Sequence, residues 1–523
     1  MKPNGTNLTL EEVVAVARNG QKIDPLSGSV KEVMNSSSQW IQDVINKGET
    51  IVYGVNTGFG PLASQQIPAD QTRQLSQNLI LTCLVGVGRP LPADVVRAMM
   101  LIRVNSLAKG FSGVRPVVVQ TLIDMLNAGV TPLVPSKGSL GASGDLAPLS
   151  HMACVMIRGE DEETEEYSGE AWFNGQQMSG AEAMAQGGIE RVTLDAKEGL
   201  ALSNGTSFMA AIAALTIIDA ENLIRHAEIA AALSIEALAG VSDAFQPELH
   251  AVNNQPGQIK TAANLRKLLS GSSLIDSDPE RVQDAYSLRC IPQVIGPSRD
   301  IVAFLRERVT AAINAATDNP LIFMDLPDDH PTKTVSGGNF HGEGLAMWLD
   351  FLGITMASMG NISERRTFRL LTPELSGGLP SMLVPNPGLD SGLMMPQYTA
   401  AALVSENKTL AHPDSVDSIP SSGNQEDYVS MGANAALHAM EIAQNLHYII
   451  AVELLTAAQG IDLRQDGPKK LAPATLAAYQ EIREKIKFLD KDRQLSPEIE
   501  DLVSLIRSGE ILKAVQKVVG GDF

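Results

Sequence analysis

The chain has 523 residues, of which 44% are hydrophobic, 19% charged and only 4% aromatic, and its formal net charge is −20. This length predicts two or three domains, or one large helical assembly with appendages. Because an acidic chain repels a phosphate backbone, the composition argues against a nucleic-acid partner. The three cysteines form neither a disulfide framework nor a paired metal motif, which favours a reducing compartment.

Residues 1–13 lack the apolar core of a secretory signal, and no window of about 20 residues is apolar without charges. A cytoplasmic protein with no membrane span is therefore expected. The acidic run at residues 160–166, EDEETEE, is typical of a solvated surface loop.

Glycine and proline break up the first part of the chain, residues 1–205, which predicts a mixed, loop-rich region. Within it, residues 50–62 have the pattern of a short strand that runs into a glycine-rich loop. Residues 92–110 and 116–129 show helical apolar spacing and end in glycine, a common helix stop.

The second part of the chain has the spacing of long helices. Residues 206–240 contain no proline and no glycine before Gly240, so one helix is predicted, capped by Thr206 and ended by Gly240. Charged residues in the middle of this stretch, such as Asp219, exclude a membrane helix. Further long helices are predicted over residues 299–316, 343–365 and 431–459.

The predicted fold class is mainly α, with a core made of a long-helix bundle. We divide the chain into a loop-rich N-terminal region (1–205), a central bundle (206–467) and shorter C-terminal helices (468–523). Since long alanine-rich helices bury most of their faces, and subunits usually share that much apolar surface, we expect a homo-oligomer.

Several familiar motifs are weak or missing. GFGPLA at residues 58–63 formally matches a dinucleotide fingerprint, but a proline interrupts it and no alternating strand–helix pattern follows. His341 and Glu343 are two residues apart, a spacing that does not place metal ligands on one helix face. In GASGD at residues 141–145, glycine follows serine directly, unlike the serine-hydrolase elbow. These chemistries are therefore not favoured.

The most unusual stretch is residues 134–152, in which glycines recur every third residue just before a predicted helix. One interpretation is structural: Ser143 or Asp145 caps that helix, and the glycines form the turn. The other is chemical. In a tight bend the Gly144 nitrogen reaches the carbonyl carbon of Ala142, and ring closure with loss of water, then loss of water from Ser143, leaves an electrophilic methylidene.

Residues 138–151, GSLGASGDLAPLSH, resemble the active-site segment of the aromatic amino acid ammonia-lyases. In that family, Ala-Ser-Gly cyclises autocatalytically to 4-methylidene-imidazol-5-one (MIO). The resemblance spans about residues 5–465 and keeps the family's motifs in order: YGVNTGFG (53–60), KEGLALSNGTS (197–207), QDAYSLRCIPQVIG (283–296), ATDNPL (316–321), SGGNFHGE (336–343) and NQEDYVSMG (424–432).

This resemblance implies the helical bundle of the ammonia-lyase and fumarase type, although the fumarase Gly-Ser-Ser-x-Met-Pro loop is missing. It also implies a homotetramer whose active sites are shared between subunits. The implied cofactor is MIO made from Ala142, Ser143 and Gly144, with no metal and no diffusible cofactor.

The resemblance also implies roles for individual residues. Tyr53 matches the base that removes the β-proton of the substrate, and Asn204 matches the amide that holds the substrate amine and the ring carbonyl. Arg289 matches the guanidinium that binds the substrate carboxylate, a bidentate task suited to arginine. The other matching positions support the electrophile or line the pocket: Gly60, Gln283, Tyr286, Asn319, Phe340, Gln425 and Glu426.

The implied reaction is a non-oxidative elimination. The electrophile captures the amino group of an L-aromatic amino acid and makes it a better leaving group. Tyr53 then takes the β-proton, and ammonia and a trans-arylacrylate such as cinnamate are released.

Substrate choice in the family tracks two residues, which are Thr82 and Cys83 here. Histidine-specific members usually have Ser-His, tyrosine-specific members His-Leu and phenylalanine-specific members Phe-Leu. Because Cys83 cannot bond an imidazole as histidine does, the pair favours L-phenylalanine or L-tyrosine. Glu426 favours the alternative, L-histidine giving urocanate, because a carboxylate facing the aryl pocket suits imidazole.

Two further alternatives stay open. An aromatic 2,3-aminomutase uses the same electrophile and returns ammonia to the β-carbon of the acrylate. The alternative that is not an enzyme is a non-catalytic helical scaffold descended from such a lyase.

Overall fold

The protein is mainly helical, as predicted. The computed structural model describes residues 1–159, 167–327, 329–330, 332–521 and 523. The acidic run predicted as a surface loop, residues 160–166, lies outside these residues.

The N-terminal helices are short or of medium length. They are Leu10–Ala17, Gly28–Lys47, Thr72–Thr82, Ala93–Leu107, Pro116–Ala128, Leu146–Cys154, Gly180–Gln186 and Glu198–Ser203. Among the described residues, four helices are long: Ser207–Ala237, Ile291–Ala312, Glu343–Leu371 and Gly432–Asp462. Other helices that the structure describes are Pro247–Asn253, Pro256–Leu269, Tyr286–Arg289, Met394–Leu410, Gly467–Lys470, Pro473–Lys485, Ser496–Ser508 and Glu510–Val519.

The strands are short and pair antiparallel. Val87–Pro90 pairs with Pro135–Lys137, and Leu321–Ile322 pairs with Thr334–Val335. Glu170–Phe173 is the middle strand of a three-stranded sheet, between Thr131–Pro132 and Gln176–Ser179.

The chain forms two compact units. The first unit comprises Met1–Leu215, Arg306–Asp350 and Pro413–Leu437. The second comprises Thr216–Leu305, Phe351–His412 and His438–Phe523. The division into three consecutive segments, 1–205, 206–467 and 468–523, remains a prediction from the sequence.

Two helices, Ser207–Ala237 and Glu343–Leu371, are long and apolar enough to cross a membrane by length and composition alone. Within the protein, 78% and 61% of their apolar windows are buried, as in the core helices of a bundle. Their hydropathy is therefore explained by packing.

The strand predicted within residues 50–62 is wrong. The amides of Val55 and Asn56 both donate to the carbonyl of Val52, at 3.1 and 3.2 Å, which bends the chain into a turn. The Asn56 side chain closes the turn, accepting from Val52 N and donating to Thr50 O, both at 2.8 Å. The backbone groups that a strand would pair are therefore satisfied locally.

Two helix boundaries also differ from the prediction. The helix expected to begin at residue 299 begins at Ile291 and contains Pro297, because its hydrogen bonds start earlier, with Val294 N donating to Cys290 O at 3.2 Å. The helix Ser207–Ala237 ends before Gly240, and the left-handed residue after it is Ala239, with φ of 50°.

Candidate active site

The loop at residues 138–145 crosses the backbone at Gly205. The amide of Asp145 donates to Gly205 O at 2.7 Å, and Gly144 has a φ of 73°. A Cβ on Gly144 would lie 2.2 Å from Gly205 O and 2.5 Å from its carbonyl carbon. Only glycine allows this approach, so the loop is bent at the third residue of the Ala-Ser-Gly tripeptide.

Asp145 caps a helix that lies far along the chain. Its Oδ2 accepts from the amides of Phe208 and Met209 at 3.0 and 3.1 Å, at the start of Ser207–Ala237. It makes no side-chain cap on Leu146–Cys154, the helix that follows it. The predicted capping of that nearer helix by Ser143 or Asp145 is therefore wrong, because the carboxylate serves the distant helix and Ser143 bonds elsewhere. The cap predicted for Thr206 is likewise supplied by Asp145.

The Asp145 carboxyl is fully buried. Burial raises its pKa to about 7, against the opposing effects of the Met209 and Phe208 amides, Ser139 and the nearby Arg103. The Asp145 carboxyl therefore links the bent loop to the start of Ser207–Ala237, and burying its negative charge costs free energy.

Helix N-termini surround the loop. The carbonyl of Gly141 accepts from Gly342 N and from Ser430 Oγ, each at 3.0 Å, and Ser430 Oγ accepts from Gly432 N at 3.1 Å. Helices begin beside these contacts at Leu146, Ser207, Glu343 and Gly432. Their positive ends favour electron withdrawal from the tripeptide.

The tripeptide makes specific contacts of its own. The side-chain amide of Asn204 donates to the Ser143 carbonyl at 2.7 Å, and Ser143 Oγ donates to Glu426 Oε1. Ala142 packs with Val429 and Met431 in a small buried cluster. The Oδ1 atom of Asn204 is buried without a hydrogen-bond partner, so it is available to a further donor.

Tyr53 and Gly60 lie together. The Gly60 amide donates to the Tyr53 hydroxyl at 3.1 Å, and both residues are half-buried. This hydrogen bond fixes the position of the Tyr53 hydroxyl group within the glycine-rich loop.

Cys83 lies at the end of the helix Thr72–Thr82 and is half-buried, whereas Thr82 is exposed. Burial raises the pKa of the Cys83 thiol; the neighbouring Ser150 hydroxyl opposes this shift and the charge of Glu426 adds to it. Cys83 and Glu426 therefore share one electrostatic environment, and the sulfur stays a thiol at neutral pH.

The remaining predicted residues of the first unit line its surface. Asn319 Oδ1 accepts from the Gly337 amide at 2.7 Å, which ties the segment at 316–321 to the segment that carries Phe340. Asn319 and Phe340 are half-buried, and Gln425 is exposed.

Gln283, Tyr286 and Arg289 lie in the second unit. The Arg289 guanidinium is 4.8 Å from the centre of the Tyr286 ring, and its Nε is buried without a hydrogen-bond partner. Gln283 and Arg289 line a cavity of about 400 Å³ together with Asp243, Asp284 and Cys290. Tyr286 is 70% exposed.

Sequence reasoning missed two buried cations that support the site. Arg103 is fully buried and donates to the carbonyls of Ala201 and Asn204, the latter at 2.6 Å. Lys197 Nζ binds Asp318 Oδ2 at 2.7 Å, also fully buried. Lys197 lies in the motif KEGLALSNGTS, and Asp318 lies in ATDNPL. The charged residues of these two motifs were the sequence feature that could have predicted a buried ion pair.

The sequence is similar to known proteins over nearly its whole length. The profile of the family described as aromatic amino acid lyase matches residues 8–484. The chain is 49% identical, over 99% of its length and 98% of the relative's, to histidine ammonia-lyase of Alkaliphilus oremlandii.

Solved structures are similar to this chain as well. Histidine ammonia-lyase from Trypanosoma cruzi aligns with a TM-score of 0.88 and 40% identity, covering 99% of this chain and 95% of that one. Tyrosine aminomutase from Streptomyces globisporus aligns with a TM-score of 0.90 and 37% identity, covering 99% and 98%.

Proposed function

Because this chain belongs to the aromatic amino acid lyase family and is an ammonia-lyase, we propose that its substrate is L-histidine and its products are urocanate and ammonia. The observation that carries the proposal is the Glu426 carboxylate, which contacts Ser143 of the Ala-Ser-Gly tripeptide. A carboxylate at this position matches the N–H of an imidazole and has no partner on a phenyl ring.

The residues of the loop fit MIO. The contact of Gly144 with Gly205 leaves no room for side chains at the bend, and the Asn204 amide already bonds the Ser143 oxygen that becomes the ring carbonyl. When formed, MIO supplies an electrophile that makes the substrate's amino group a better leaving group. Ala142, Ser143 and Gly144 would provide its atoms, and Asn204 would hold its carbonyl.

The protein's side chains then bind and orient the substrate. Asn204 Oδ1, buried and unpartnered, accepts an N–H of the substrate's amino group. Tyr53 acts as the phenolate: its oxygen, to which the Gly60 amide donates, takes the β-proton and becomes a neutral hydroxyl group. Glu426 accepts the imidazole N–H. Arg289, with Gln283 and Tyr286 beside it, binds the substrate carboxylate.

We also propose a homotetramer with active sites shared between subunits, located in the cytoplasm. Size-exclusion chromatography coupled to light scattering tests the assembly. An active monomer would contradict it.

An aryl substrate or an aminomutase is the second candidate. Cys83 stands where histidine-specific relatives carry histidine, which favoured L-phenylalanine or L-tyrosine in the sequence analysis, and a tyrosine aminomutase is among the similar structures. The relatives named as histidine ammonia-lyases favour L-histidine over these substrates.

A substrate panel tests the proposal. Purified protein is incubated separately with L-histidine, L-phenylalanine and L-tyrosine, the acrylate is followed by ultraviolet absorbance, and β-amino acids are sought by chromatography. We expect kcat/KM to be highest with L-histidine. Cys83→His is the matched variant, and it should increase that preference. Cinnamate or coumarate without urocanate would overturn the proposal, and a β-amino acid as main product would identify an aminomutase.

A further inference from the structure

The hydroxyl of Ser143 is held by a fixed carboxylate. Ser143 Oγ donates to Glu426 Oε1, and Ser421 Oγ donates to Oε2 at 2.8 Å. The backbone holds the same residue, since the Ser421 amide donates to the Glu426 carbonyl at 2.9 Å. One carboxylate oxygen of Glu426 therefore accepts a hydrogen bond from the Ser143 hydroxyl, the group that must leave as water when the tripeptide matures.

We propose that Glu426 transfers the proton in the dehydration of Ser143, a role in self-processing that is separate from its role towards the substrate. The inference rests on the proposed function, because it presupposes that the tripeptide cyclises. Glu426 thus acts twice, first on the protein's own chain and later on the imidazole.

The step balances with this one residue. The Glu426 carboxylate takes the proton from Ser143 Cα, and the electron pair of the C–H bond forms the Cα=Cβ double bond. The Cβ–Oγ bond breaks with its electron pair on Oγ. The proton passes from Glu426 to Oγ, water leaves, and the carboxylate is restored. No oxidant, reductant or co-reactant is needed.

Asn204 assists the same step. As the Cα proton leaves, negative charge develops transiently on the Ser143 carbonyl oxygen, before the electron pair moves into the Cα=Cβ bond. The Asn204 amide already donates to that oxygen at 2.7 Å. A preoriented donor at the point where charge develops lowers the barrier. Glu426 and Asn204 therefore hold the two oxygens of Ser143 whose bonding changes in the reaction.

Two other acidic residues near the tripeptide, Asp145 and Asp427, make no recorded hydrogen bond with the Ser143 hydroxyl in the described residues. Asp145 accepts from the amides of Phe208 and Met209 through Oδ2 and from Ser139 through Oδ1. Asp427 follows Glu426 in the chain but is exposed. Glu426 is the acid–base group that contacts the Ser143 hydroxyl.

Intact mass measured during maturation tests the proposal. Protein made in a short cell-free translation pulse is sampled from minutes to hours, because each water lost lowers the mass by one step. Glu426→Gln should retain the second water, losing it about 10²-fold more slowly than wild type. Asp427→Asn is the matched control, since it removes one neighbouring negative charge, and it should lose both waters at the wild-type rate.

The carboxylate itself is tested by Glu426→Asp, which should mature faster than Glu426→Gln. Circular dichroism identifies folded samples, and the comparison uses these alone. Equal time courses for wild type and Glu426→Gln would overturn the inference, and so would a Glu426→Asp variant that matures no faster than Glu426→Gln. A wild-type mass with no water lost would instead overturn the proposed function.

Discussion

The loop at residues 138–145 and the segment at residues 283–289 carry different kinds of site residue. In the first unit, Gly144, Asp145 and Asn204 are buried. Asp145 and Asn204 make hydrogen bonds of 2.7–3.1 Å within that unit. In the second unit, Gln283 and Tyr286 are exposed, and Arg289 keeps a buried Nε without a partner. The first region is shaped by its own chain, whereas the second presents side chains that a ligand can bind.

This contrast separates making the electrophile from using it. Changes in the loop should prevent maturation, visible as mass. Substitutions in residues 283–289 should leave the mass of the processed protein unchanged and should weaken substrate binding.

The largest effect is expected from Ser143→Ala. Without Oγ the second water cannot be lost, so no methylidene forms. Activity should fall by about 10³-fold or more. Intact mass and urocanate formation measure both consequences. Full turnover by this variant would contradict the assignment of the tripeptide.

Gly144→Ala tests the bend. Its Cβ would lie 2.2 Å from Gly205 O, so the loop must move and maturation should fail. Gly175→Ala is the matched control: Gly175 has a similar φ of 78° but nothing within 4 Å of the added Cβ. The control should cost about 1 kcal/mol in stability through backbone strain while keeping the processed mass. Normal processing of Gly144→Ala would break the argument from close approach.

Tyr53→Phe should separate chemistry from maturation within the first unit. Removing the phenol oxygen that accepts from Gly60 N removes the proposed base, so kcat should fall by about 10²–10⁴-fold. The intact mass should still show both waters lost. A variant that keeps wild-type kcat would exclude Tyr53 as the base.

Arg289→Lys tests the segment of the second unit. Lysine keeps the charge but loses the bidentate fork, and KM for L-histidine should rise by about 10-fold or more. The mass should stay that of the processed protein. A loss of processing in this variant would contradict the division of roles between the two regions.

The long helices were predictable because apolar periodicity is local information. Residues 206–240, 343–365 and 431–459 were predicted as helices, and the structure has Ser207–Ala237, Glu343–Leu371 and Gly432–Asp462. The contacts of Asp145 were not predictable in this way, because its partners lie 63 and 64 residues away. A carboxylate beside a helix start suggests a local cap, and only the tertiary fold shows which helix it serves.

The candidate site also contains residues that the sequence could predict and residues that only the tertiary fold reveals. Residue types and motif order predicted the tripeptide, Asn204 and Glu426 as site residues through resemblance. Arg103 escaped because a lone arginine in a helical pattern indicates an exposed face, whereas here it is buried and bonds the carbonyls of Ala201 and Asn204. Burial of a charge depends on partners that are distant in sequence.

The smallest predicted effect concerns pH and Asp145. Burial raises the pKa of Asp145 from 3.8 to about 7, so the folded protein binds this proton more tightly than the unfolded chain does. The stability contributed by the group is therefore full below about pH 4 and is lost as the pH rises through about 7. Asp145→Asn keeps an oxygen acceptor for the Phe208 and Met209 amides and removes the titration.

The difference in Tm between Asp145→Asn and wild type should thus shift in favour of the variant as the pH rises from 4 to 8, by about 2 °C. Glu236 in the second unit gives a comparison, because burial also raises its pKa to about 7. Glu236→Gln should give a shift of the same sign and leave processing unchanged. Titratable groups that neither substitution changes contribute equally to variant and wild type, so they cancel in the Tm difference. If the Tm difference between Asp145→Asn and wild type does not change with pH, the Asp145 carboxyl does not titrate in this range. The carboxylate that caps Ser207–Ala237 would then be charged throughout.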